Sequence, residues 1–167
     1  MAFLAIPNDD DLEPDARAAA QAYLAERPGP LSTLDRALLG NAVVFGSYTG
    51  WFDVRDELIP FLGERAVTLF SYAISDAYPA PYCAEFFRRE LVESGDDPLD
   101  PQVTEAERLL IDWGRTIGAG PSAAKPELTE QVVATFSPTL RQLLVGFAGL
   151  MTAVCVFATV GELPIED

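Results

Sequence analysis

ERAVTLFSYAISDAYPAPYCAEFFRRELVES, residues 64–94, holds two helical patterns separated by Tyr78-Pro79-Ala80-Pro81. Apolar residues at 66, 67, 69, 70, 73, 74 and 77 recur at helical spacing and predict a broad buried face. Proline lacks an N–H and has a fixed φ, so Pro79 is expected to end the first helix and Pro81 to open the second. With Ala80 at the N-cap, Cys83 falls at N3, where free N–H groups and the helix dipole favour a thiolate. Residues 81–93 then place Cys83, Phe86, Phe87 and Glu90 along one side at offsets of three and four.

Helical signals continue outward in both directions, and the alternation of a half-buried strand is absent, so the expected fold is all-α with seven or eight helices. Residues 1–11 read as an extended lead-in packing through Phe3, Leu4 and Ile6. The Ala-rich segment 12–26 predicts a helix with Pro14 in its first turn, closed by Arg27-Pro28-Gly29-Pro30. Ser32 and Asp35 resemble a capping box that opens one helix running through Leu38, Leu39, Val43, Val44 and Phe45 to Thr49-Gly50. A shorter helix over 53–62 is expected to be interrupted by Pro60. Beyond the hairpin, Thr104 and Glu107 form a second capping box, and GAGPSAAKP (118–126) reads as an internal linker. A short helix over 128–135 follows. Ser137-Pro138 then caps a last helix reaching about residue 160.

That last helix contains twenty uncharged residues, QLLVGFAGLMTAVCVFATVG (142–161), the length of a membrane span. Arg141 before it and an acidic tail after it fit a tail anchor. Against this, Gly146, Ala148, Gly149, Thr152 and Ala153 lower its hydrophobicity, and no aromatic belt or basic cluster flanks it. A helix apolar all round is instead expected at the centre of an oligomer, with Gly146, Gly149 and Ala153 allowing close backbone approach.

At 167 residues, 49% apolar and 22% charged, the chain reads as one globular domain spanning 1–167. A net charge of −15 works against nucleic acid and anionic membranes, which bind through Lys and Arg. No histidine is present, which excludes histidine-based triads and removes the commonest transition-metal ligand; neither a metal nor a cofactor is expected. Two cysteines, Cys83 and Cys155, are too few for a disulfide framework and fit a reducing cytoplasm. The first residues lack the basic and apolar regions of a signal peptide.

Cys83 is the only thiol beside a helix start and has two readings: a nucleophile, or a small buried hydrophobe among Tyr82, Phe86 and Phe87. Asp76 and Glu85 flank it as candidate proton acceptors, although a negative neighbour disfavours the thiolate. Trp51, Trp113, Tyr72, Tyr78 and Phe70 read as core, with Trp51 also placed to line a pocket.

Ala80-Pro81-Tyr82-Cys83 resembles the Cys-Pro-Tyr-Cys turn of the carboxymuconolactone decarboxylase-like, or alkylhydroperoxidase-D-like, family. TEAERLLIDWGR, FSPTLRQLLVGFAGL and TVGELP follow that family's C-terminal order, so the resemblance covers residues 35–165. It implies an all-helical protein that forms a dimer or larger homo-oligomer. In the peroxidase branch, two cysteines spaced C-x-x-C work with a histidine and a glutamate. Position by position, Cys83 matches the second cysteine, whereas Ala80, Phe87 and Thr68 replace the first cysteine, the histidine and the glutamate. Met151, Val154 and Cys155 stand where relatives often carry Asn-x-x-Asn-Arg. The resemblance thus implies a scaffold without its usual peroxidase turnover, which binds an apolar small molecule or a partner, or serves as a structural subunit. Its pocket is expected from Thr68, Tyr72, Ala80, Tyr82, Phe87, Met151, Val154 and Cys155. The alternative is a one-thiol peroxidase in which Cys83 works with Glu64, Asp76 or Glu85; Glu64 lies one turn before Thr68, near the place of the family's glutamate.

Overall fold

The computed structural model describes residues 3–165 except Pro121 and Ala123. Among the described residues all regular structure is helical, as expected. There are eight α-helices of eight residues or more and one of six. They are α1 (Pro14–Glu26), α2 (Thr33–Leu38), α3 (Ala42–Thr49), α4 (Trp51–Leu62), α5 (Glu64–Ala77), α6 (Pro81–Glu93), α7 (Glu105–Ala119), α8 (Pro126–Thr135) and α9 (Pro138–Val160).

Local sequence explains most of the helix ends. Ser32 accepts the N–H of Asp35, and the Asp35 carboxylate accepts from the Ser32 N–H, closing the expected box at α2. Thr104 and Glu107 do the same at α7, and Ser137 caps α9. At the end of α6, Gly95 takes a left-handed φ of 89°, and the N–H of Asp96 returns to the Leu91 carbonyl at 2.9 Å. This is a Schellman closure, in which glycine carries no Cβ penalty. The Asp96 carboxylate then receives a two-pronged contact from Arg65, which also bonds Glu107, so α5 is tied to both ends of the α6–α7 connection. The Arg65 guanidinium holds the Asp96 carboxyl below the ordinary carboxylate range.

Four local expectations change. The single helix expected from Ser32 to Gly50 is two, because Asn41 accepts the N–H groups of Val43 and Val44 and starts α3 anew. The helix expected at 53–62 begins at Trp51 and is not interrupted. Pro60 sits in its last turn and is exposed, as is Asp56, whose carbonyl loses its helical partner. Gly118 belongs to α7 rather than to the linker, of which Pro121 and Ala123 lie outside the described residues. The lead-in contains a 3₁₀ turn, Asp9–Asp11, and Phe3 is exposed while Leu4 and Ile6 pack inward; Met1 and Ala2 lie outside the described residues.

At the centre, α5 buries Ala66, Val67, Leu69, Phe70, Ser71, Ala73, Ile74 and Ser75. The two buried hydroxyls are satisfied within the helix, Ser71 donating to the Val67 carbonyl and Ser75 to that of Ser71. α7 lies close against α5 through Gly114 and Gly118, one turn apart. A Cβ on Gly118 would fall 2.3 Å from the Ile74 carbonyl oxygen and 2.9 Å from the Ala77 Cβ. A Cβ on Gly146 or Gly149 of α9 would meet nothing within the chain, so the close intramolecular helix approach is the one on α7. α9 instead buries Leu140, Leu144, Phe147, Ala148, Met151, Val154, Cys155 and Ala158, while Val145, Val156 and Val160 stay exposed. Ring contacts run unbroken from Trp113 through Phe70, Phe147, Trp51 and Phe52 to Tyr23 and Phe45. At the far end of α9, Leu4 rests against Gly161, where an added Cβ would stand 2.6 Å from the Leu4 Cδ1.

Gly118→Ala should therefore destabilise the fold by about 1–3 kcal/mol or more, the range for overpacking a tight contact. Gly149→Ala, with open space around it, should be neutral or stabilise by up to about 1 kcal/mol through helix propensity. Urea unfolding of the two variants beside the parent protein measures both.

Candidate functional site

The break between α5 and α6 falls where Pro79 and Pro81 are expected to place it. α5 stops at Ala77, Pro81 occupies the first turn of α6, and Cys83 takes the third position after the Ala80 N-cap. The N–H of Ala80 bonds the Ser75 carbonyl at 3.0 Å, which fixes the start of α6 against the end of α5. Cys83 therefore points inward rather than to solvent and is 3% exposed.

Above Cys83 lies a cleft of about 220 Å³. One wall is Tyr82, Phe86 and Phe87 of α6; another is Tyr48, Trp51 and Phe52 at the α3–α4 junction. Leu34 and Leu38 of α2 and Met151 and Val154 of α9 complete it. The Tyr82 hydroxyl accepts the N–H of Leu34 at 3.1 Å, so α6 supplies a cap to α2 across the cleft. The polar groups at its mouth are engaged with one another: Asp35 and Ser32 in their capping box, and the Thr49 hydroxyl on the Phe45 carbonyl. The exposed interior is accordingly aromatic and aliphatic, with one thiol.

Behind Cys83 stands Cys155, fully buried on α9 within the same core. The Cys155 sulfur lies 3.7 Å from the Ser75 hydroxyl oxygen. The neighbouring Cys155 thiol, together with burial, pushes the Cys83 thiol far above the ordinary thiol range. The helix-start position that favours a thiolate in sequence is thus outweighed by apolar surroundings and a neighbouring thiol.

Of the residues expected to form the pocket, Tyr82, Phe87, Met151 and Val154 line the cleft with Cys83. Ala80 and Cys155 are buried in the same core beneath it. Thr68 is not there. It lines a separate groove with Glu64, Arg55, Arg65 and Glu90. Tyr72 packs on the α5 flank beside Leu69, Ala73, Leu91 and Ile111. None of the three candidate carboxylates reaches Cys83. Glu64, at the start of α5, is exposed and lies 3.8 Å from Arg55. Asp76 points to solvent. Glu85 is forked between Arg88 and Arg89, which pull its carboxyl down to about 2. Helical register explains this outcome. Glu85 follows Cys83 by two residues, which turns it to the opposite face of α6.

Trp51 lines the cleft, as expected from its place at a loop–helix junction, whereas Ser75, Leu34 and Phe52 are site residues that spacing along the hairpin does not reveal. Ser75 was legible as a small polar residue on the buried face of α5, one turn after Ser71. Leu34 belongs to α2, whose contact with α6 is purely tertiary.

Among the described residues no group of three or more His, Cys, Asp or Glu side chains is arranged to hold a metal. Comparison of the chain with protein-family models, with curated proteins and with solved structures returned no match.

Alkylation of Cys83 by iodoacetamide in the folded protein should be slow at neutral pH. It should accelerate only well above pH ~8.5, since each unit of upward shift cuts the thiolate fraction about tenfold. Rate against pH, read by mass spectrometry, checks this, and unfolding in urea should restore ordinary reactivity.

Proposed function

We propose that this chain binds an apolar small molecule in the cleft over Cys83, as an alkylhydroperoxidase-D-like helical protein without that family's peroxidase turnover. The carrying observation is the cleft itself: aromatic walls, a mouth whose polar groups already have partners, and no carboxylate or histidine beside the thiol. An empty apolar cavity of about 150 Å³ is enough to admit benzene, while drug-sized ligands occupy about 300 Å³ or more. At about 220 Å³ the cleft fits a ligand of one or two rings. With Ser32, Asp35 and Thr49 committed to other groups, the Tyr48 hydroxyl and the Trp51 indole N–H are the polar side-chain groups left on the lining, and recognition rests mainly on shape and burial.

The same reading takes the protein as a homo-oligomer in the cytoplasm. Supporting it, the outward face of α9 beyond Arg141 is charge-free, with Val145, Gly146, Gly149, Val156 and Val160 exposed. α9 is also the one helix among the described residues long and apolar enough to cross a membrane. Its opposite face, however, supplies Leu144, Phe147, Met151 and Val154 to the main core, a role a lipid-embedded anchor would not fill. A reducing compartment suits a chain with only two cysteines.

Trp51 lines the cleft, so with Trp113→Phe removing the other indole, naphthalene should quench or shift the remaining emission saturably. Leu34→Trp, which fills the mouth, should weaken binding about tenfold, about 1.4 kcal/mol. Absence of saturable binding by calorimetry and fluorescence alike would end the ligand reading. For the assembly, light scattering after gel filtration in detergent-free buffer should give a dimer or larger, and Gly149→Arg should shift it toward monomer. A parent protein that is soluble only in detergent would favour the anchor instead.

A further inference from the structure

Trp51 opens α4 directly after Gly50, and its indole is held from two directions. Phe52 stacks on it with ring centroids 4.3 Å apart, and Phe147 of α9 lies tilted at 5.8 Å. Trp51 is only 9% exposed, and it lines the cleft. Its N–H has no hydrogen-bond partner among the described residues. Nor is that N–H sealed away: among those residues the Arg141 Nε is the one fully buried side-chain nitrogen or oxygen without a partner. The indole N–H is therefore reached by solvent, and the cleft is the opening its ring borders. A phenylalanine would fill the same space with no donor to satisfy. A hydrocarbon that enters the cleft displaces the water on this N–H and leaves it unpaired, whereas a ligand with an acceptor replaces that water.

Sign and charge of the ligand follow from the lining. An indole N–H can only donate, so the group that meets it must accept. The Tyr48 hydroxyl, three residues earlier, is the other open group; it can donate or accept and leaves that requirement unchanged. None of the described residues around the cleft is Lys or Arg, and the Asp35 carboxylate stands among them. An anionic acceptor would meet like charge there and nothing to balance its own. We propose that the Trp51 indole N–H is the polar anchor of the cleft, and that the ligand is a neutral one- or two-ring compound carrying an uncharged oxygen acceptor such as a ketone. This rests on the reading of the cleft as a small-molecule site, and adds the polar group that molecule must carry.

The test is a cycle of two ligands and two proteins. 2-Acetylnaphthalene and 2-isopropenylnaphthalene share a shape and differ by an oxygen against a methylene group. Calorimetry gives the ratio of their affinities in the parent protein and in Trp51→Phe. The ketone is the more water-soluble of the two, so the change in ratio between proteins is the deciding quantity. Trp51→Phe should cut the preference for the ketone about tenfold or more, the effect of removing a donor that the alkene strands. Tyr48→Phe should keep most of that preference. In a proton–nitrogen correlation spectrum of the parent protein, the Trp51 indole signal should move downfield with the ketone and not with the alkene; Trp113→Phe assigns it. An unchanged ratio, an indole proton that ignores the ketone, or tighter binding of 2-naphthoate than of the ketone overturns the inference and leaves the ligand reading intact. If neither naphthalene binds saturably, both fall together. Because the indole shift is read on the parent protein, a poorly folding Trp51→Phe does not remove the test.

Discussion

The contact of Gly118 with the last turn of α5 sets the position of nearly everything that concerns the site. A side chain there would collide with the Ile74 carbonyl, and also with Ala77 and the Tyr78 N–H, the residues where α5 ends. α7 is thus pressed against the end of α5 that leads into the proline turn. That end carries Ser75, whose carbonyl holds Ala80 and whose hydroxyl lies against Cys155. One interhelical approach therefore positions the start of α6, the inner thiol's partner and the floor of the cleft together. Packed interiors transmit such constraints because they are dense and deform little.

Charge is kept outside this arrangement. The carboxylates near α6 are held by arginines, Glu85 by Arg88 and Arg89 and Asp96 by Arg65, and these pairs lie at or near the surface. Exposed pairs of this kind add little stability. They do determine where negative charge is localised in a strongly acidic chain, and the pair of arginines holds Glu85 on the face of α6 away from the thiol. Asp35 is the one carboxylate at the cleft, and it is committed to the Ser32 cap.

The parts of this fold legible in sequence are those governed by neighbours. The stop at Ala77, Pro81 in the first turn, Cys83 at the third position and the boxes at Ser32 and Thr104 all follow from residues a few positions apart. The break at Asn41 was legible too, as a capping residue after Gly40, but the apolar run from Leu38 to Phe45 masked it. Gly118 resembled a linker because glycine marks both loops and close helix contacts, and only the neighbouring helix distinguishes them. The contact of Cys155 with Ser75, the cap that Tyr82 gives Leu34 and the separation of Thr68 from the thiol depend on how whole helices pack. No spacing along one segment encodes them.

Leu4 lying on Gly161 brings the first and last described stretches of the chain to one corner of the molecule. The order in which the helices are strung is then separable from the way they pack. A short bridge across that corner, with new ends opened at the exposed Leu99 turn, would leave every helix with the neighbours it has now. Labels attached at Phe3 and Glu162 would report on the same neighbourhood, where the lead-in closes over the end of α9.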